Sequence, residues 1–404
     1  MRRTVRVACF SFYDGDSYNA EGLVTARCVN ALRQMGHDVE VFTEGTGKDQ
    51  DCWLGLPWNR HFLLSGAGLL SYGREVWSYV PRALAAFVRS HKNNAFDCIV
   101  SRFEPSHSCV AGYLAKLASG LPWIVSVNDP MPRQNPVRRS WRGLVDLDRN
   151  RYNQFWGEAC LTSAEVLVFP TRRLCAKVLQ KRETRPDVSV IEHIGASARR
   201  SSKADSAGGK TVMVRHVGFL SKQRDIGTLA DALIAVDRLI EEHSLTVEFV
   251  GDVRAQAEEI RKVKSAGLRN VHVKSLGVVS PAEAADLIAT ADAGLLVEEE
   301  ADVGVFLPSK FCDYVACGCP VIAIGNKDSA VGDLIQEFAC GVLIEHGDVS
   351  GCVAGLLGVM KRQWTASDEA AAYFGPARVG AAWDLLIRRT VQVCLPWARL
   401  RNTA

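Results

Sequence analysis

Two stretches decide the fold, VGFLSKQRDIGTLADAL at 217–233 and FLPSKFCDYVACGCPVIAIG at 306–325. In the first, an apolar run ends at Val217-Gly218 and a helical pattern opens near Asp225 or Ile226. A strand therefore gives way to a helix across a glycine that permits close backbone approach. In the second, Pro308 and Ser309 suit a first helical turn, Gly318 closes the helix, and PVIAIG is a buried strand. Strand-helix-strand units of this kind belong to right-handed crossovers in a parallel sheet, and such sheets bind ligands outside the carboxyl ends of their strands. Lys222 and Arg224 stand where the first strand meets its helix, and Lys310 stands at the start of the second helix. With the unpaired N–H groups after Pro308, they make two anion sites aimed at one sheet edge. Asp313 lies one turn on from Ser309. A carboxylate beside a phosphate site is unfavourable unless it binds hydroxyls, which makes Asp313 a ribose candidate.

Working outward, the same alternation fills the chain. Before residue 196 the strands are 5–12, VEVFTE (39–44), DCIVSR (97–102), WIVSVN (123–128) and VLVF (166–169), with helices over 20–35, 81–91, 107–119, 149–163 and 171–181. The stretch 50–79 reads as irregular. ASARRSSKADSAGGK at 196–210 has no large apolar residue and reads as a linker. The alternation then resumes with TVMVRHVG, LTVEFVG, VHVKSLG, AGLLVE, PVIAIG and GVLIEH. The expected architecture is α/β, with two Rossmann-like doubly wound domains facing a cleft: residues 1–195 and 211–365, joined by 196–210. Helical spacing in Val379, Trp383, Leu386 and Ile387 marks a last segment, 366–404, for which packing back on the first domain is one open arrangement.

Composition narrows the function. Of 404 residues, 48 are Lys or Arg and 45 Asp or Glu, so a net charge of +3 gives no whole-chain drive toward nucleic acid or anionic membrane. Thirteen cysteines run from Cys9 to Cys394 without a CxxC pair, and Cys317-Gly-Cys319 lacks a second pair at zinc spacing. Reduced, buried thiols in a cytoplasmic protein are expected. The opening MRRTVRVACFSF lacks the apolar core of a signal peptide and reads as the first strand, and no run is long enough to span a membrane. Gly209-Lys210-Thr211 ends like a phosphate-binding loop, but Ala204 holds the place of its first glycine and the strand follows instead of preceding. The turn SFYDGDSYNAEG has no GxGxxG, and neither GxSxG nor HExxH occurs.

The ordered set VGFLSKQRDIGTLADAL, LTVEFVGD, VHVKSLGVVS, ADAGLLV and LPSKFCDYVACGCPVIA resembles the carboxyl-terminal half of GT-B glycosyltransferases, family 4 (group 1). SRFEPSHSCVAGYLAKLASGLPWIVSVNDP resembles their amino-terminal acceptor domain, so the resemblance covers nearly the whole chain. It implies transfer of a sugar from a nucleotide-diphosphate sugar, a UDP-sugar first among these, to an acceptor hydroxyl, with retention of configuration and no essential metal or other cofactor.

Carried over residue by residue, the family's basic pair falls at Phe219 and Arg224, so the first cation is missing and Arg224, with Lys222, carries the charge. Of the family's paired glutamates, Asp313 matches the second and Val305 stands where the first would be; the run Glu298-Glu299-Glu300 and Asp302 could supply a substitute, with Glu300 placed in the donor set. Gly218, Pro308, Ser309, Lys310 and Val278 complete that set. In the first domain Asn128 and Asp129 follow a strand, where relatives carry a polar residue beside the transferred sugar. Gly22 is the best match to a close-approach glycine, and His107 starts a helix that could face the cleft. Arg133, Arg138, Arg139, Trp141 and Arg142 could touch an anionic lipid-linked acceptor at the inner membrane face, although a solvated loop is the favoured reading. Two other functions stay open on the same fold: a non-catalytic nucleotide-sugar binder, and a sugar-nucleotide epimerase. The oligomeric state and the acceptor's identity are not legible.

Overall fold

The computed structural model describes residues 3–13, 19–43, 68–103, 107–131, 142–180, 186–198, 211–241, 243–300 and 304–401. Its contacts divide the chain into two units, Met1–Glu192 with Gly380–Ala404, and His193–Val379.

In the first unit the strands are β1 (Arg6–Phe10), β2 (Asp38–Phe42), β3 (Cys98–Phe103), β4 (Trp123–Val127), β5 (Val166–Phe169) and β6 (Asp187–Val190). All pair in parallel, in the order β2-β1-β3-β4-β5-β6. The helices are α1 (Ala20–Gln34), α2 (Gly68–Asn93), α3 (His107–Ser119), α4 (Arg142–Ser163) and α5 (Arg172–Leu179). Strands β3, β4 and β5 are buried along their whole length, which is why they read as unbroken apolar runs instead of alternating ones. Helix α2 is longer than the 81–91 predicted: Pro81, which looks like a helix start in the sequence, sits inside it. The stretch expected to be irregular is therefore helical from Gly68 on, and residues 44–67 lie outside the described residues.

The second unit holds β7 (Thr211–Val217), β8 (Ser244–Val250), β9 (Val271–Gly277), β10 (Ala293–Val297), β11 (Val321–Ile324) and β12 (Gly341–Ile344), again all parallel. Their order is β12-β11-β10-β7-β8-β9. Between and after them run α6 (Gly227–Val236), α7 (Ala257–Ser265), α8 (Pro281–Ala289), α9 (Ser309–Ala316), α10 (Ala330–Phe338), α11 (Val349–Met360) and α12 (Asp368–Tyr373). Both faces of this sheet carry a core. Val214, Leu229, Leu245, Val247, Phe249 and Leu356 fill one, and Val217, Leu296, Phe311, Tyr314, Val321 and Phe374 the other. Two layers of helices on a parallel sheet are the doubly wound arrangement. In this order the chain reverses direction between β7 and β10, and in the first unit between β1 and β3.

The units meet in the chain earlier than the composition of 196–210 suggests. Gly195 donates its N–H to the Phe374 carbonyl at 2.9 Å and is pressed so closely to Cys312 and Ala316 of α9 that no side chain would fit. Ile194 and Ala196 are buried, so 193–198 belongs to the second unit. Residues 199–210 lie outside the described residues.

At the other end, α12 stops at Tyr373, and a separate helix α13 (Pro376–Arg401) begins after Gly375, with proline at its first position. The division falls inside α13, at Val379/Gly380. Within the first unit Gly380 faces Ala31 and Met35, and Trp383 and Ile387 are buried. Asp384 Oδ1 lies 2.7 Å from the buried His37 Nε2 and accepts from Arg388 Nε at 2.5 Å, while Arg388 Nη1 reaches the Arg3 carbonyl at 2.5 Å.

Among the described residues no helix is long and apolar enough to cross a membrane. The described cysteines are free thiols, and only Cys175 and Cys394 are not fully buried.

Candidate functional site

The carboxyl ends of β7 and β10, where the strand order reverses, gather the second unit's unusual residues. Gly218 follows β7 with φ of +117°, a conformation open essentially to glycine, and its N–H donates to the Val250 carbonyl at 2.6 Å. Gly251, at the end of β8, has φ of +122°, and a side chain there would strike the backbone of Gly218. The edge is thus shaped by bare backbone.

Helix α9 is held over this edge by Tyr314. Its ring lies on Gly294, its hydroxyl accepts from the Val217 N–H at 2.9 Å, and it donates to the Leu295 carbonyl at 3.2 Å. Lys310, one turn earlier, therefore lies across Gly218, where an added Cβ would collide with its Cε. Its ammonium donates to the Phe219 carbonyl at 3.2 Å, and Arg224 Nη1 reaches the same oxygen at 3.3 Å. Neither cation has a carboxylate within ion-pair distance among the described residues. Like charges brought together under partial cover disfavour their own charged forms. Burial pulls the Lys310 ammonium down to about 7, the Arg224 charge adds to this, and Asp313 opposes it.

Two further groups lie in the same neighbourhood. His216, buried on β7, has Nδ1 at 3.1 Å from the Leu295 carbonyl and an unpartnered Nε2. Burial first, then the charges of Lys310 and Arg224, hold it well below the usual imidazole range, so it is neutral. Glu298 follows β10, donates its N–H to the Ile324 carbonyl at 2.9 Å, and has a buried, unpartnered Oε2. Burial pushes its carboxyl up to about 7 against the pull of Arg224.

Beside these groups, at the carboxyl ends of β8 and β9, a cavity of about 640 Å³ is lined by Gly251, Val253, Arg254, Arg261, Gly277 and Val278, among others. That volume suits a small-molecule ligand. Arg254 is paired with Asp252 at 2.6 Å, while Val278 is 64% exposed and presents an apolar surface to the cavity.

The first unit has a polar cluster at its own reversal point. Arg102, buried, donates Nε to Glu21 Oε1 at 2.8 Å and Nη1 to Ser126 Oγ at 3.0 Å, leaving Nη2 unpartnered. Burial alone would lower the Arg102 pKa, but the Glu21 carboxylate outweighs it, and the net shift is upward. The other Glu21 oxygen accepts from Asn128 Nδ2 at 2.7 Å, which fixes the amide with its oxygen toward Ser126 Oγ, 3.4 Å away.

Several sequence-predicted residues thus come together: Gly218, Arg224 and Lys310 at one edge, with Pro308 and Ser309 opening α9, and Asp313 half-buried one turn on. Others are placed differently. Lys222 and Glu300 are exposed, Phe219 is 55% exposed, and Val305 is buried. Of the acidic run it is Glu298 that turns inward, and Asp302 lies outside the described residues. Gly22 is buried in the first turn of α1. His107 is buried at the start of α3, its Nδ1 3.3 Å from the Tyr152 hydroxyl and its ring edge-on to Phe12. The basic stretch at 133–142 has no described side chain. Among the described residues no three of His, Cys, Asp and Glu converge in a way that could hold a metal ion. The sequence reading missed His216, Glu21 and Arg102, and named Glu298 only as one of the acidic run. A polar pair inside the apolar strand TVMVRHVG was the one available signal for His216.

Two parallel doubly wound units in one chain are the architecture of the GT-B glycosyltransferases. The family description "Glycosyl transferase 4-like domain" matches residues 21–193, and "Glycosyl transferases group 1" matches residues 211–362. The chain belongs to the group 1 glycosyltransferases, enzymes that move a sugar from a nucleotide-sugar donor to an acceptor. No curated protein matches its sequence. Among solved structures, sucrose-phosphate synthase from Thermosynechococcus elongatus is similar with a TM-score of 0.67 at 15% identity, over 95% of this chain and 98% of that one. AviGT4, a glycosyltransferase involved in avilamycin A biosynthesis, has a TM-score of 0.56 at 15% identity over 96% and 98%. The lipopolysaccharide outer core galactosyltransferase WaaB has 0.56 at 13% identity over 97% and 99%. At these identities the likeness is one of fold.

Proposed function

We propose that the protein is a retaining, metal-independent glycosyltransferase whose second unit binds a UDP-sugar across the carboxyl ends of β7 to β10. The observation that carries this reading is the pair Lys310 and Arg224, both turned onto the Phe219 carbonyl beside a glycine edge. Two cations, the N–H groups opening α9 and bare backbone at Gly218 suit a diphosphate. Asp313 then takes the ribose hydroxyls, and the cavity beside Val278 takes the base.

When the bond from the anomeric carbon to the diphosphate oxygen breaks, negative charge grows on the leaving group. Lys310, Arg224 and the α9 amides meet that charge, and preorganised donors of this kind contribute about 3–4 kcal/mol each. Metal independence is supported by these same residues, which supply the cationic charge. Retention rests on the family resemblance alone. In the first unit, Asn128 and Asp129 stand at the end of β4, the place for an acceptor or the transferred sugar; the Glu21–Arg102 pair holds Asn128.

A thermal-shift screen against UDP, ADP, GDP and their sugars tests the donor site. A ligand at about 100 times its dissociation constant raises stability by about 2.7 kcal/mol. That gain should be largest for UDP compounds and vanish in Arg224→Ala and Lys310→Ala. Stabilisation that survives both substitutions places the donor elsewhere. The anomeric configuration of a product formed with a competent acceptor decides retention, and a new sugar nucleotide formed without any acceptor makes the enzyme an epimerase.

A further inference from the structure

Around the reversal point between β7 and β10, four side chains keep hydrogen-bonding capacity that no other protein group uses, Ser221 Oγ in the loop after β7 being one. The others are Arg224 Nε, His216 Nε2 and Glu298 Oε2, all buried and unpartnered. Native structures rarely leave buried polar atoms unpaired, and such an atom marks strain, a functional role or a place for a bound water or ion. Glu298 is the least expected of them, because an anion in the neighbourhood of Arg224 opposes the phosphate that Arg224 is proposed to bind.

Its position is set by backbone. The Glu298 N–H is tied to the Ile324 carbonyl at 2.9 Å, and the carboxyl lies against Gly325, where an added Cβ would stand 2.6 Å from Oε2. The side chain cannot relax toward β11 without meeting that backbone. The charged group bearing on it is Arg224, after β7, which also bears on Lys310 of α9 and on the neutral His216 of β7. On the β11 side Lys327 is engaged with Glu345 at 2.6 Å.

We propose that Glu298 is a further donor-binding residue, engaging the diphosphate as the neutral acid, its carboxyl O–H donating to a phosphate oxygen. This rests on the donor site proposed above. Burial already brings the carboxyl up to about 7 in the free protein, and a diphosphate placed beside it raises the value further. Binding therefore takes up a proton at Glu298 on the alkaline side of neutrality. Lys310, lowered to about 7, also regains its proton next to the diphosphate. Affinity falls with rising pH for both reasons, and the Glu298 share is separated by substitution.

The experiment measures the dissociation constant of UDP by titration calorimetry for the wild type, Glu298→Gln and Glu298→Ala, at about pH 6 and about pH 8.5, and in buffers of different ionisation enthalpy. Glutamine keeps a neutral donor group. It should bind UDP like the wild type at the lower pH, lose affinity less steeply as pH rises, and take up fewer protons on binding. Alanine should weaken binding about tenfold at the lower pH, as expected for one hydrogen bond to a charged partner. Glutamine binding as weakly as alanine, or alanine binding as tightly as the wild type, overturns the proposal. Should the alanine variant fail to fold, an equal proton uptake by wild type and glutamine overturns it as well. A wild type that binds no nucleoside diphosphate rejects the donor-site reading itself, which separates the two failures.

Discussion

Replacing Gly218 by alanine would impose a backbone cost and displace a cation, and the two effects can be measured separately. The φ of +117° at this residue is far outside the space of an L side chain, so the substitution stores roughly 1–3 kcal/mol of strain. Reduced freedom of the unfolded chain returns only about 0.4–1 kcal/mol. For a unit the size of His193–Val379, each kcal/mol moves the midpoint by about 2–4 °C, so a fall of several degrees is expected. The new methyl would also occupy the place of Lys310 Cε and force the ammonium off the Phe219 carbonyl. If that ammonium binds the diphosphate, losing one charged hydrogen bond costs about 1.5–3 kcal/mol, or roughly 10- to 150-fold in UDP affinity. The assay is a double-mutant cycle in which UDP binding and thermal midpoints are measured for the wild type, Gly218→Ala, Lys310→Ala and the double variant. Because both substitutions act through the same ammonium, the double variant should bind UDP no more weakly than Lys310→Ala alone. Affinity losses that multiply, or a Gly218→Ala protein with wild-type affinity and midpoint, would refute the reasoning.

Two more predictions concern the first unit. Burial pushes the Asp384 carboxyl up, but hydrogen bonds from Arg388 and His37 outweigh this and hold it below the usual carboxylate range. Its contribution is then complete above the ordinary Asp value and lost as pH falls through the depressed one; Asp384→Asn should lose about 3 kcal/mol near neutrality and much less in acid. Urea unfolding at several pH values reads this, and a deficit that stays constant with pH would show that the ionised pair is not its source. Asn128→Ala should leave UDP affinity unchanged while transfer to an acceptor slows about tenfold or more, since the amide belongs to the other unit; an equal loss of UDP binding would contradict the assignment of Asn128 to the acceptor side.

What the sequence made legible was local. Gly218, Arg224 and Lys310 sit at strand-to-helix junctions, and a junction shows itself within a few residues through the change of period and the glycine or proline that punctuates it. Partnerships across the fold were hidden. Glu21 meets Arg102 across 81 residues of chain and Asn128 across 107, and nothing in any one of these segments marks the others as neighbours. The acidic run shows a subtler limit. Glu298, Glu299 and Glu300 are chemically identical, and only the point where β10 stops, at Val297, decides that the first turns inward while the other two are exposed. Strand ends are the least legible boundaries, so Glu300 is the residue the sequence puts forward, whereas Glu298 is the one whose carboxyl is buried. Composition marks where a chain lacks apolar side chains, and so points to 196–210; the contacts that tie 193–198 to the second unit run through the backbone of Gly195, which has no side chain at all.

Phe219 links these observations to how the site works. With no cation at that position, the loop contributes a carbonyl, and that single oxygen draws in both Lys310 and Arg224. Two half-covered cations on one carbonyl are unfavourable unless one gives up charge, and Lys310 does so, its ammonium lowered to about 7. Glu298 moves in the opposite direction, its carboxyl raised to about 7, so near neutrality both side chains are partly discharged. The site at rest is therefore less polarised than its residues suggest, and on the donor-binding proposal an arriving diphosphate restores the charge of Lys310 while it suppresses that of Glu298. Such a site gains its affinity from contacts made after arrival rather than from a long-range field. A chain whose net charge is only +3 supplies little steering of its own, so the salt dependence of UDP association should be shallow and its pH dependence steep.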